Sequence, residues 1–229
     1  ISATALEVPA APGWPGDELI AAYLGDGFPP AHWQMLPIDD GLVRIPPGRG
    51  PRTVLLAWSQ VTGQQVKRAS AGADGPVLDH LSAEATRHHL EAVGRPLLEA
   101  VPAELIGSVF SDSLEGYGAS WTPRLPEEFR RRRGYELLPL LHRLQVEEPG
   151  SDQLRIDVGR TLTELVEENF IATCRDWARE HGVRFRLQGY GEPPVTVSSN
   201  RYADLIEGEG CGWTELTQLR WVASAGHLY

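Results

Sequence analysis

The sequence predicts an α/β protein built on a parallel sheet, and three observations carry that expectation. Apolar or alternating runs of strand length stand at TVLLAW (53–58), LIGSVF (105–110) and VRFRLQG (183–189). Stretches with helical spacing separate and follow them. Acids and glycines crowd the positions just after the second and third runs. Strand, helix, strand, helices, strand, helix is the order that βα units produce, with the three strands parallel and the helices outside. A whole (β/α)8 barrel takes about 250 residues. After a lead-in of 50 residues this chain has room for three or four units, hence part of such a barrel or a smaller open sheet.

Residues 1–50 are rich in Pro and Gly (APGWPG, DGFPP, IPPGRG) without a sustained period, which predicts an irregular lead-in around the domain that follows. TVLLAW is continuously apolar, as a strand covered on both faces is. After the polar loop TGQQVKRASAGADG, Ser82 stands as an N-cap before SAEATRHHLEAVGRPLLEAV, a helical pattern that Gly94 and Pro96 should break or kink. A helix is expected over about 125–144, with Pro in its first turn and Gly134 weakening its middle.

The clearest helix spans 157–181. Val158, Leu162, Leu165, Val166, Phe170, Cys174 and Trp177 share one face, Glu164, Glu167 and Glu168 lie largely away from it, and Gly182 sits at the C-cap. In the third strand Val183, Phe185 and Leu187 alternate with Arg184, Arg186 and Gln188, a pattern too polar for a doubly covered strand. An acidic, glycine-rich loop and a last helix from about 213 complete the chain.

Composition narrows the function. With 21 Lys and Arg against 31 Asp and Glu, the formal charge of −10 opposes phosphate backbones and anionic membranes, so neutral ligands fit better than nucleic acid or lipid. Cys174 and Cys211 make no disulfide framework and read as buried or half-buried thiols. No apolar run is long enough to span a bilayer. The chain does not begin with Met and ends inside a helical pattern, so it reads as a fragment of a longer protein. Its compartment is open, periplasmic or secreted if a signal peptide precedes it.

In βα architectures functional groups collect in loops after the carboxyl ends of strands. SVFSDSLEGYGASWTP (108–123) puts Asp112 and Glu115 there, and QGYGEPP puts Glu192 there. Two strand ends, each with Glu on a glycine-bearing loop near aromatic residues, suggest the paired carboxylates of glycoside hydrolysis. Trp58, Trp121, Tyr117 and Tyr190 offer flat faces for sugar rings, although each also has an ordinary role in packing. Asp204, Glu207 and Glu209 supply hard oxygen ligands of the kind calcium takes, and a solvated acidic loop explains them equally well. His80, Glu84 and His88, four apart, fit a solvated helix face better than a metal site. Arg130–Arg133, following Glu127 and Glu128, fits a salt-bridged surface. GEGCGW has neither the spacing nor the preceding strand of a dinucleotide fingerprint.

The segments TGQQVKRASAG (62–72), VLDHLSAEA (77–85), SVFSDSLEGYGASWTP, TLTELVEENF (161–170), HGVRFRLQGYGEPP and RYADLIEGEGCGWTE (through 215) resemble the catalytic region of glycoside hydrolase family 106, the α-L-rhamnosidases. The resemblance implies a (β/α)8 catalytic barrel over 51–229, truncated at the C-terminus, and hydrolysis of rhamnosides with inversion. It also implies a calcium ion that helps hold the sugar hydroxyls. The acid of the family's D-x-x-E motif falls on Glu115, with Asp112 beside it, kept protonated by burial or a neighbouring charge. The base is expected beyond Tyr229, and Glu192 becomes a substrate or calcium residue. Two rivals stand against this reading. One is a glycosidase of other sugar preference, including a retaining one with Glu192 as nucleophile. The other is a non-catalytic carbohydrate-binding module.

Overall fold

The computed structural model describes residues 4–7, 16–209 and 212–229. They divide into two compact units, Ile1–Gly63 with Pro123–Val158, and Gln64–Thr122 with Gly159–Tyr229.

The first unit overturns the expected irregular lead-in, because most of the described residues of 1–50 are strand. β1 (Thr4–Glu7), β2 (Glu18–Gly27), β3 (Pro30–Leu36), β4 (Ile38–Asp39), β5 (Leu42–Ile45) and β6 (Arg52–Ser59) form two antiparallel sheets, ordered β1-β5-β4 and β3-β2-β6. Among the described residues their glycines mark turns; APGWPG lies, but for Gly16, outside the described residues. Gly27, at φ 90°, makes the bend where β2 gives way to β3, and Asp40 and Gly41, both at positive φ, join β4 to β5. β2 is central and buries the consecutive residues Ala21, Ala22, Tyr23 and Leu24, so no alternation marked it as a strand.

β6 is the predicted first strand, but it pairs antiparallel with β2 from Glu18↔Ser59 to Asp26↔Arg52. An apolar run identifies a strand without identifying its neighbour. Trp58 packs half-buried against the cluster of Ala22, Leu24, Leu36 and Val43. Its ring is accounted for by this core, which corrects its assignment as a sugar platform.

The helix expected over 125–144 is two pieces. Leu125–Arg133 buries Leu125 and Phe129 and ends where Gly134 turns left-handed at φ 82°; a 3₁₀ stretch follows at Leu138–Leu144. The arginine run is paired as expected, with Glu128 2.6 Å from Arg131 and 3.2 Å from Arg132.

The second unit holds the parallel sheet. β7 (Ser108–Ser111), β9 (Arg184–Gln188) and β11 (Leu205–Glu207) lie in the order β11-β9-β7, all parallel, and no closed sheet is formed among the described residues. Phe185 and Leu187 are buried on one face. On the other, the Arg186 guanidinium lies 4.2 Å from the Phe110 ring centroid and 2.9 Å from Glu207. The polar alternation of this strand is therefore a face held by cation–π contact and ion pairing instead of an apolar layer.

Ser82 caps its helix as predicted, its Oγ accepting from the Ala85 N–H at 3.2 Å. At the break or kink expected from Gly94 and Pro96 the chain stays helical but its α geometry is interrupted: Ala83–His89 runs through a π turn at Leu90–Gly94 into Arg95–Glu99. Pro96 falls in the first turn of this last segment, and a Cβ on Gly94 would stand 2.7 Å from the Trp177 ring.

The long helix starts at Ser151, continues from Val166 through a π turn at Glu167–Ala172, and ends with Thr173–Glu180. Every apolar residue assigned to its inner face, from Val158 to Trp177, is buried. Glu167 departs from the expectation of an outward acid. It is buried and accepts from Ser198 Oγ at 3.1 Å, Ser199 Oγ at 2.9 Å and Arg201 at 3.0 Å. Such partners, invisible to helical spacing, make burial of a carboxylate tolerable.

Candidate active site

Parallel strands deliver their following loops to one edge of a sheet, and here that edge assembles the site. After β7 the chain turns at Asp112, whose Oδ1 accepts from the Ser113 N–H at 2.9 Å, and makes a two-residue strand, β8 (Leu114–Glu115). After β9 it makes β10 (Gly191–Glu192). β8 and β10 pair in parallel, with Leu114 opposite Gly191 and Glu115 opposite Glu192. Leu114 N–H donates to the Tyr190 carbonyl at 3.1 Å and Gly116 N–H to the Glu192 carbonyl at 2.7 Å.

The two acids singled out by their strand-end positions are thus register partners, on backbones about 4.8 Å apart by ordinary strand spacing. Gly191 makes the pairing possible. It lies at φ 116°, and a Cβ there would collide with the Leu114 carbonyl.

Two residues of the polar loop after β6, Gln64 and Lys67, bear on Glu115. Lys67 Nζ is 2.8 Å from Glu115 Oε2 and 5.6 Å from the Tyr117 ring centroid. Gln64 Nε2 donates to the Glu115 carbonyl, and the Tyr117 N–H donates to Gln64 Oε1 at 3.0 Å. Their signal was present in TGQQVKRASAG, but a polar loop distant in sequence gives no clue to its partner. Glu115 is exposed, and the hydrogen bond and positive charge of Lys67 hold its carboxyl below its ordinary value. This reverses the expectation of an acid kept protonated by its surroundings.

His80 lies beside the Gly116 that follows Glu115, its Nδ1 3.6 Å from where a Cβ on that glycine would stand. Its ring meets Phe170 edge-on at 4.6 Å, and burial pulls the imidazole down to about 4, so it is neutral near pH 7. The helix of Glu84 and His88 begins only at Ala83, which leaves His80 off its face. Tyr117 is exposed, Trp121 is half-buried, and Tyr190 packs on Trp213 at 5.1 Å while its hydroxyl donates to Gln188 Oε1 at 3.2 Å.

The acidic loop does not form the expected trio. Asp204 sits 2.6 Å from Arg179 and accepts from the Phe185 N–H at 2.9 Å; although burial opposes it, these contacts hold its carboxyl below its ordinary value. Glu207 is paired with Arg186, and Glu209 is exposed. No three His, Cys, Asp or Glu side chains converge among the described residues. With arginines on two of the three carboxylates, Asp204, Glu207 and Glu209 do not fit a calcium ion in this arrangement. Cys174 is a buried thiol pushed up to about 12 by burial, whereas Cys211 lies outside the described residues. No described helix is long and apolar enough to cross a membrane.

A mixed α/β unit that presents two carboxylates at the carboxyl edge of a parallel sheet has the apparatus of glycoside hydrolases. The model of the family described as alpha-L-rhamnosidase matches residues 37–202, and the chain belongs to that family, glycoside hydrolase family 106. The structure of a rhamnosidase from Novosphingobium sp. PP1Y is similar with a TM-score of 0.64 and 25% identity, over 84% of this chain and 19% of that one. A protein of Formosa agariphila, provisionally named a beta-glucuronidase, is 26% identical over 200 residues, which are 83% of this chain and 17% of the relative. The chain thus spans less than a fifth of the length of either.

Proposed function

We propose that this chain is the part of an inverting α-L-rhamnosidase that carries the general acid, and that the full-length protein removes terminal α-L-rhamnosyl residues from glycans or glycosides. One observation carries the reading. Glu115 of the D-x-x-E motif is the register partner of Glu192, at the sheet edge where βα enzymes keep their chemistry. In this reading β7, β9 and β11 are consecutive staves of a (β/α)8 barrel. Glu115 donates a proton to the glycosidic oxygen as the bond to the anomeric carbon breaks. Asp112 supports its loop, while Glu192, Tyr117, Tyr190 and Trp121 contact the sugar. The base comes from the longer protein beyond Tyr229, about 6.5 to 9.5 Å from Glu115, which leaves room for the attacking water.

Because Lys67 keeps Glu115 ionised when the site is open, the proton must be acquired before or during substrate binding. The rate is therefore expected to rise toward acidic pH.

A second reading draws on the same register. Acids on adjacent paired strands suit the closer separation of retaining enzymes, about 5 to 5.5 Å, with Glu192 as nucleophile. Proton NMR of the first product separates the two. The full-length protein, given an aryl α-L-rhamnoside, is expected to release β-L-rhamnose, which then mutarotates. Initial release of the α anomer would replace inversion with the retaining reading. Turnover of an aryl β-glucuronide in place of the rhamnoside would overturn the sugar assignment.

Calcium enters the proposal only for the full-length protein, with ligands other than the arginine-paired Asp204 and Glu207. Chelation is expected to lower rhamnosidase turnover and added calcium to restore it. Unchanged turnover after thorough chelation would remove the metal from the proposal.

A further inference from the structure

Glu115 is gripped from outside its own strand. The segment 64–77 is a flap folded back on itself, with Val66 N–H donating to the Gly75 carbonyl at 2.9 Å and Val77 N–H to the Gln64 carbonyl at 3.0 Å, and with Gln65 bridged to Pro76. The flap presents two side chains to the acid. Gln64 spans the backbone on either side of it, bonding the carbonyl of Glu115 and the N–H of Tyr117. Lys67 reaches the carboxylate itself at 2.8 Å and lies over the Tyr117 ring.

Most surface ion pairs join two long, loose side chains and contribute little. In this one the backbone under one partner is also clamped, and the clamp comes from the same short flap as the cation. The arrangement confines the carboxylate's position as well as its charge.

We propose that Lys67 is a positioning residue for the proton donor Glu115, orienting its carboxylate beside Tyr117, while Gln64 fixes the backbone from which that carboxylate hangs. The proposal rests on the reading of Glu115 as the acid. The contact Lys67 makes is with the Glu115 carboxylate, so its effect is exerted through the acid. The other ionisable groups around Glu115 are Tyr117 and Asp112 on its own loop, Glu192 opposite on β10, Arg68 beside Lys67, and the neutral His80. The Nδ1 of His80 lies 3.6 Å from where a Cβ on Gly116 would stand. Lys67 is the cation in direct contact, and the sign of its effect is to keep the carboxylate charged.

A proton donor works in its protonated form, so the alkaline limb of kcat/KM reports its titration in the free enzyme. Lys67 places that limb at lower pH than an unpaired Glu would. In the full-length protein, Lys67→Met is expected to move the limb to higher pH and to lower the acidic plateau toward about 10²-fold, as misplacement of a catalytic group does. Lys67→Gln, which keeps a donor but no charge, should move the limb in the same direction with a smaller loss of plateau. Lys67→Arg should leave the limb near its original position.

A limb that stays put in both neutral variants, with urea unfolding midpoints unchanged, would overturn the proposal. If Lys67→Met does not fold, Lys67→Gln alone decides the matter. Glu115→Gln in parallel tests the underlying reading separately. Should it retain full activity and the same limb, Glu115 is not the donor, whatever the lysine variants do.

Discussion

Glu115→Gln in the full-length protein is expected to lower kcat/KM on a rhamnoside with a poor leaving group by about 10² to 10⁴-fold, the range that positioned acid catalysis supplies. It should have far less effect on an aryl rhamnoside whose leaving group needs little protonation. The substitution keeps the size of the side chain and leaves the backbone bonds of the β8–β10 pair untouched, since these run through Leu114 N–H and Gly116 N–H. The amide cannot deliver a proton to the departing oxygen. Loss of a base would slow both substrates together, so the difference between them identifies the role. Steady-state rates on the two substrates provide the check. Equal losses would mean that Glu115 is not the acid.

Gly191→Ala is expected to impair the site with little effect on the rest of the unit. The residue lies at φ 116°, where side chains are strained by about 1 to 3 kcal/mol, and its Cβ would strike the Leu114 carbonyl, a backbone atom that cannot swing aside. Relief requires β10 to move off β8, carrying Glu192 away from Glu115. A displacement near 1 Å at a catalytic group can cost about 10²-fold in rate. Gly182→Ala is the control. It also sits at positive φ, 72°, but nothing lies within 4 Å of its added Cβ, and it closes a helix away from the ladder. Both variants should lose comparable stability in urea, and only Gly191→Ala should lose most of its rate. Parallel loss of rate in the two would show that strain, rather than the collision, is responsible.

The difference between what the sequence disclosed and what it withheld is physical. Strand-end acids were legible because a βα chain must return its loops to one edge, and Glu115 and Glu192 duly pair. The inner face of the long helix was legible because burial repeats with the helical turn. Glu167 was not, since its burial depends on hydroxyls and an arginine from a later segment. The Lys67 contact was hidden for the same reason, being made across a fold that no local pattern encodes. The strands of residues 18–45 escaped notice because β2 is buried without alternation and its turns carry the glycines and prolines that otherwise signal loops. The acidic loop misled in the opposite direction. Three carboxylates close in sequence suggested one ion, yet two of them lean on separate arginines.

The β8–β10 ladder also governs when the site comes into being. It is two residues long and joins parts of the chain separated by several helical segments, so closing it costs loop entropy that two register pairs return only weakly. It cannot form until β7 and β9 have already aligned, which places it late in folding and among the first elements to open in the native state. The amide protons of Leu114 and Gly116 are bonded across this ladder, to the Tyr190 and Glu192 carbonyls. Their exchange with deuterium therefore clocks the opening of the candidate site itself, and should run ahead of exchange from the β9 core strand; if Glu115 and Glu192 hold the sugar as proposed, added rhamnoside is expected to narrow that margin.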